Sequence, residues 1–409
     1  MKLKNCRICK GNSLTDYLNL GLMPAADAFI KEEYKYLNDP VYPLEVCLCN
    51  DCGISQLNFT VDPKILYQND YPYESSITKT GRVHWDQFAE SVVQRAQLSS
   101  DDLVIDIGSN VGVLLGAFQK RGCKVLGIEP SKHIAACANQ NGVETINDFI
   151  SLDLAKKIVS NKGQAPLINI TNVFAHINNL EGLMKAVDLL LTKNGMFVIE
   201  APHFLNLIEG LEYDTIYHEH LLYISVKPLN SLFKRFGFEV FDVKEVLIHG
   251  GSIRIFVGRN GEHNLTKFVN QVIEKEEKAN LFDISRLNTF SKQVHNHKKQ
   301  LRELLLGIKK TGKTIVAVSA PAKGMTLLNY CKIDSNIIDF LTEKSSLKIG
   351  KYSPGAHIPI FSDEKLCEKK IDFALLLAWN FSDEIIENLS DFKNSGGKFI
   401  IPIPKPKIV

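Results

Sequence analysis

The stretch Val104–Val113, "VIDIGSNVGV", constrains this chain more than any other. An apolar run ends on Asp106, the chain passes Gly108, Asn110 and Gly112, and an amphipathic run, "VLLGAF", follows. This reads as a buried strand, a tight turn and a helix. The glycines let the backbone bend sharply and let a ligand approach it. The runs "DLVIDIG", "KVLGIEP", "PLINITNVF" and "GMFVIEAP" alternate with helical stretches between residues 100 and 260. Such alternation predicts an α/β fold with a parallel, doubly wound sheet. "FEVFDVKEV" and "SIRIFVGR" follow closely and read as strands that finish the sheet with an antiparallel edge. A dinucleotide site would carry G-x-G-x-x-G and a helix N-terminus open to a pyrophosphate. Here the turn is D-x-G-x-x-x-G, and Asp106 at its head favours a cationic nucleoside over an anionic one. Glu129 closes the next strand, where a carboxylate can take both hydroxyls of a ribose.

The flanking regions differ in composition. Residues 1–70 hold Cys6-x-x-Cys9 and Cys49-x-x-Cys52. Thiolates at this spacing complete a tetrahedral zinc site with no position left for substrate, so the predicted metal is structural. Cys47 competes with Cys49 for the role, and the symmetric spacing favours Cys49. Cys123, Cys137, Cys331 and Cys367 read as isolated cysteines. Nine cysteines and an N-terminus without an apolar stretch point to a reducing compartment, with the cytoplasm as the expected location. Residues 71–260 form the predicted central domain, and 261–310 read as one or two charged helices that cross between domains. From Gly312 a second alternation begins, so 311–409 are a smaller α/β domain that ends in an extended tail, "PIPKPKIV". The formal charge of +2 argues against a nucleic-acid-binding module held by phosphate contacts. No apolar run approaches the roughly 20 residues of a membrane helix. Oligomeric state stays open.

The turn at Asp106, Gly108, Asn110 and Gly112 resembles motif I of class I S-adenosylmethionine-dependent methyltransferases. That resemblance implies a Rossmann-like central domain and gives Glu129 to the ribose and Asp148 to the adenine. The N/D-P-P-Y motif of base and RNA amino methylases is missing; "TNVFAH" stands in its place. Asn172 and His176 point to a different acceptor. The cysteine pairs, "DYPYESS", "DIGSNVG", "TNVFAHINNL", "YDTIYHEHLLYIS", "HGGSIRIF", "APAKGMTLLNY", "GKYSPGAHIPI", "LLLAWNF" and "GGKFIIPIPKP" occur in that order. Together they resemble the three-domain nucleotide-sugar C-methyltransferase family. The family has a zinc-binding N-terminal domain, a methyltransferase domain and a second Rossmann-like α/β domain that contributes to nucleotide-sugar binding. The resemblance implies methylation of a 4-keto-deoxy sugar on a nucleoside diphosphate, at carbon 3 or, as the alternative, at carbon 5. O- or N-methylation of a sugar or small metabolite is the competing chemistry. One departure stands out: the family's aspartate near the second strand of the last domain is replaced by Thr342-Glu343 in "FLTEKSS".

A C-methyltransferase must first make a carbanion, so it needs a base, and a neighbouring ketone acidifies the hydrogen to be lost. The resemblance makes His220 of Tyr217-His218-Glu219-His220 that base. It gives Tyr217 and Glu219 the task of orienting sugar or base, and has Tyr71 close over the substrate. His176 is a second polar partner. Were the motif a strand, His218 and His220 would face one side and could both bind a cation; the competing reading of His218 is a packed or solvated ring. Tyr223 reads as core. His203 and His249 either line the cleft or are structural. In the last domain Lys323 opens a helix that could meet a phosphate, or is a surface lysine. Arg254 is a second candidate for the diphosphate.

Overall fold

The computed structural model describes residues 1–67, 71–72, 79–248, 250–368 and 370–409. His249 and the side chain of Cys367 lie outside the described set, as does most of "DYPYESS" apart from Tyr71 and Pro72.

The central sheet has seven strands. Their order is Phe238–Val246, Ser252–Arg259, Leu191–Pro202, Ala165–Thr171, Leu103–Ile107, Lys124–Ile128 and Thr145–Ile146. The last five are parallel to one another; Ser252–Arg259 runs antiparallel to the strands on both sides. The expected closing pair is therefore a hairpin whose second strand inserts beside Leu191–Pro202. Leu103–Ile107 and Ala165–Thr171 lie side by side, and the chain winds away from them in opposite directions. That divergence opens a crevice at their carboxyl ends, where ligands of such sheets bind.

The N-terminal region is a sheet of Leu14–Met23, Tyr42–Cys49 and Ser55–Leu57, joined by a fourth strand, Leu222–Tyr223, from the central domain. The C-terminal sheet runs Ile360–Ser362, Leu341–Glu343, Ile315–Val318, Phe373–Leu376, Lys398–Ile401 and Lys407–Ile408. Its last strand is antiparallel and comes from the expected tail. The apolar run "NIIDFL" contributes only Leu341 to a strand.

Two helices occupy the predicted connection, Lys267–Lys278 and Ile284–Lys310. The longer one presents Leu287, Phe290, Val294, Leu301 and Leu305, at helical spacing, to a shared core. That core also takes Leu18 and Val46 from the N-terminal sheet, Phe204 and Ile216 from the central domain, and Ile315 and Leu375 from the C-terminal sheet. A second core packs Cys6, Ile8 and Cys49 against Ile105, Ile168 and Phe233. Apolar burial is the main driving force for such association, so the three regions are fused rather than strung on linkers. No described helix is long and apolar enough to cross a membrane.

Candidate active site

At the carboxyl end of Leu103–Ile107, Gly108 and Gly112 take φ of +75° and +82°. A Cβ on Gly108 would lie 2.5 Å from Val173, and one on Gly112 would lie 2.9 Å from Val143. Any larger residue would therefore be strained twice over, by its backbone and by its neighbour. Asp106 is buried, and its Oδ1 has no hydrogen-bond partner among the described residues. Glu129 accepts the amides of Ser131 at 2.9 Å and of Asn110 at 3.1 Å. Burial, and secondarily Glu129, push Asp106 well above the usual carboxylate range. Burial also raises Glu129, against the two amides. A cationic ligand between these two groups would relieve both, so the cradle suits a sulfonium nucleoside. Asp148 is exposed just past Thr145–Ile146, and its Oδ1 accepts the Phe149 amide at 2.8 Å.

Across the crevice, Asn172 follows Ala165–Thr171 at φ +56°, with its Oδ1 buried and unpartnered among the described residues. The chain continues into a single 3-10 turn, Phe174–His176. The His176 ring lies 5.1 Å from that of His220, centroid to centroid, and stacks on Tyr67 at 5.8 Å. Tyr67 meets Tyr71 edge-on at 5.7 Å, and Tyr217 covers His220 at 4.0 Å. His176, His220, Tyr217 and Tyr71 are thus brought together. Tyr67 is a member the sequence reading missed; it sits in a short helix, Pro63–Tyr67, with no motif to single it out.

The histidine motif is a turn, not a strand. His220 Nδ1 lies 2.7 Å from the Thr215 carbonyl oxygen, whereas His218 Nε2 points to the Tyr42 carbonyl at 3.3 Å. The two rings serve different neighbours and do not converge on a cation. His218 is the packed ring of the competing reading, and burial lowers it to about 4. His203 is structural too, with Nε2 2.9 Å from Glu276. Burial also lowers His220 to about 4, partly offset by Thr215. Burial also holds His176 well below the usual imidazole range, with the neighbouring His220 as a second cause. Glu219 is raised well above the carboxylate range by burial and then by Asp27, with Lys348 opposing.

Two predicted cations are committed elsewhere. Arg254 is buried; its Nε lies 2.8 Å from Glu200, its Nη1 2.9 Å from Ser91 Oγ, and its guanidinium 3.9 Å over Phe88. His84 takes the other Glu200 oxygen at 2.5 Å. An arginine held this way neutralises a buried carboxylate and does not reach across a cleft. Lys323 does open the helix Ala322–Cys331, but its ammonium bonds Asn380 and lies 4.1 Å over the Trp379 ring. Asp214 and Glu212 act on the same ammonium. The ammonium is already held by Asn380, Trp379 and the buried Asp214, so the phosphate reading of Lys323 gives way to one in which the lysine balances an acidic neighbour.

The four cysteine sulfurs of Cys6, Cys9, Cys49 and Cys52 lie within 4.8 Å of one another, with Cys6–Cys52 at 3.6 Å and Cys9–Cys49 at 3.5 Å. Zinc–sulfur bonds of about 2.3 Å give a tetrahedron with edges of roughly 3.8 Å, so the donor set fits zinc. Hydrogen bonding to Cys52 first, and then the Cys9 and Ile8 amides, draw the Cys6 thiol down to about 5. Cys47 is not in the group, and burial raises its thiol to about 12.

Residues 6–67 match the family described as "Putative zinc binding domain", residues 83–243 "Methyltransferase domain", and residues 247–404 "C-methyltransferase C-terminal domain". Over 408 residues the chain is 33% identical to C-methyltransferase NovU of Streptomyces niveus, covering 100% of this chain and 97% of that protein.

The chain belongs to the C-methyltransferase family. It is an S-adenosylmethionine-dependent methyltransferase with a zinc site in its N-terminal domain. Among solved structures, the plantazolicin methyltransferase BpumL aligns at TM-score 0.37 and 15% identity, over 45% of this chain and 86% of that one. Magnesium protoporphyrin IX methyltransferase from Synechocystis PCC 6803 aligns at 0.35 and 16%, over 46% and 90%. In this C-methyltransferase, Glu129→Ala removes a charged acceptor from the cradle. Calorimetry is expected to show a dissociation constant for S-adenosylmethionine raised roughly 10- to 100-fold, the worth of one charge-assisted hydrogen bond.

Proposed function

We propose that the enzyme methylates carbon 3 of a 4-keto-deoxy sugar carried on a nucleoside diphosphate, with His220 removing the carbon-3 proton. The observation that carries this reading is the hydrogen bond at His220. A carbonyl oxygen only accepts, so Nδ1 carries the ring proton, and Nε2 keeps the lone pair a base requires. Burial keeps the ring neutral. The chemistry calls for a base of near-neutral pKa, and the free ring sits lower because its surroundings are apolar. Negative charge developing on the enolate beside it raises its proton affinity as the reaction proceeds. Glu219, raised by burial and by Asp27, holds its proton and suits donation to the enolate oxygen. His176 adds a buried Nε2 without a partner among the described residues. When bound, S-adenosylmethionine supplies the electrophilic methyl group that the enolate carbon attacks.

The test uses 4-keto sugar nucleotides deuterated at carbon 3 and analysed by mass spectrometry. The expected product gains a methyl group and loses the deuterium. Retention at carbon 3 in the methylated product removes the enolate route at that carbon, and loss of the label from a parallel substrate deuterated at carbon 5 moves the acceptor there.

A further inference from the structure

We propose that Asp214 and Trp379 are positioning residues through which the C-terminal domain fixes the His220 tautomer. The kinetic part of the proposal rests on the base reading above; the tautomer part does not. The structural element is the 3-10 turn Tyr213–Thr215, which lies just ahead of the histidine motif. Each of its three residues is held from outside or holds something. Tyr213 is fully buried; its hydroxyl lies 2.9 Å from His297 Nδ1 of the long helix and 3.3 Å from Cys331 Sγ. Asp214 is fully buried, and its Oδ2 accepts Trp379 Nε1–H at 2.7 Å. Thr215 donates its hydroxyl to the Glu212 carbonyl at 2.7 Å and turns its own carbonyl to His220.

The peptide planes of one short turn are rigid, so holding the Tyr213 and Asp214 side chains limits the φ and ψ changes by which the Thr215 carbonyl could turn away from His220. That carbonyl decides which imidazole nitrogen is protonated. Trp379 follows Phe373–Leu376, and Lys323 follows Ile315–Val318, the two adjacent strands at which the C-terminal sheet changes winding direction. The clamp thus lies at the ends of those two strands. Asp214 also balances the Lys323 ammonium, but charge balance alone sets no direction and does not require the Trp379 N–H. Asp214 Oδ1 has no hydrogen-bond partner among the described residues, which makes its burial costly. A directed hydrogen bond is what an apolar side chain could not supply.

The test replaces Trp379 with Phe, which keeps a ring for Lys323 and deletes the N–H. Full-length protein labelled with 15N-histidine is compared by NMR, with the His220 signals assigned by their loss in His220→Asn. Wild type is expected to show Nδ1 protonated and Nε2 bare. In Trp379→Phe the two signals are expected to move toward each other as tautomers mix. Turnover is expected to fall roughly 10- to 100-fold, with S-adenosylmethionine affinity within about twofold of wild type. Unchanged His220 signals in Trp379→Phe overturn the proposal. Should that variant melt without cooperativity, Asp214→Asn and Asp214→Leu decide. Asn retains an acceptor for Trp379 and should keep the tautomer, Leu should lose it, and equal behaviour of the pair overturns the proposal. A fully active His220→Asn enzyme would remove the base reading, and the NMR comparison would still decide the clamp.

Discussion

His220→Asn is expected to lower turnover roughly 10²- to 10⁴-fold, the usual contribution of a positioned general base. S-adenosylmethionine binding should stay near wild type, because the residues proposed to hold it, Asp106, Gly108, Gly112 and Glu129, lie at the ends of Leu103–Ile107 and Lys124–Ile128 and not in the histidine turn. Asparagine can still donate to the Thr215 carbonyl, so the turn survives while the basic nitrogen is lost. The pH profile gives an independent check. Burial lowers His220 to about 4, and the base works only in its neutral form. The acid limb of kcat/KM, which reports the free enzyme, should therefore lie near pH 4, not near 6.5, with activity falling as pH drops through it. Near-normal turnover in the variant would take His220 out of the role. Were His176→Asn then inactive, the proton would pass to the ring 5.1 Å away.

Loss of the zinc site is expected to have the second largest effect. Structural zinc contributes about 10–16 kcal/mol in small zinc-binding peptides, as much as the whole stability of many domains. Cys52→Ser leaves three sulfur ligands, and the knuckles then lack the bond that closes them. The consequence reaches the active site through a covalent path. Leu222–Tyr223, two residues beyond His220, is a strand of the zinc domain's sheet, paired with Ser55 and Gln56. We expect Cys52→Ser protein to lose bound zinc, to be cleaved early within residues 1–67 by limited proteolysis, and to lose turnover although no cysteine touches substrate. A soluble Cys52→Ser enzyme with unchanged melting temperature and activity would show that the knuckles hold themselves.

Much of the molecule was legible in the chain because the relevant signals are local. Asp106, Gly108, Asn110 and Gly112 sit within one turn, and their spacing requires a strand before and a helix after. The cysteine pairs are likewise two local knuckles. The charges were less readable. Lys323 looked like a ligand for a diphosphate because it opens a helix that could meet a phosphate, and Arg254 looked like a second cation within reach of it. Their partners, Glu200, Glu212 and Asp214, come from distant positions, and no spacing rule links them.

By itself, then, the sequence determined the doubly wound sheet, the glycine turn after its first strand and the metal knuckles, since short-range periodicity and backbone freedom specify each. Only the tertiary structure decided that the histidine motif is a turn, that His218 and His220 part company, that Tyr67 stacks on His176 beside His220, and that Trp379 reaches Asp214 across 165 residues. Those outcomes depend on which side chains burial brings within hydrogen-bonding distance, and burial is a property of the packed whole.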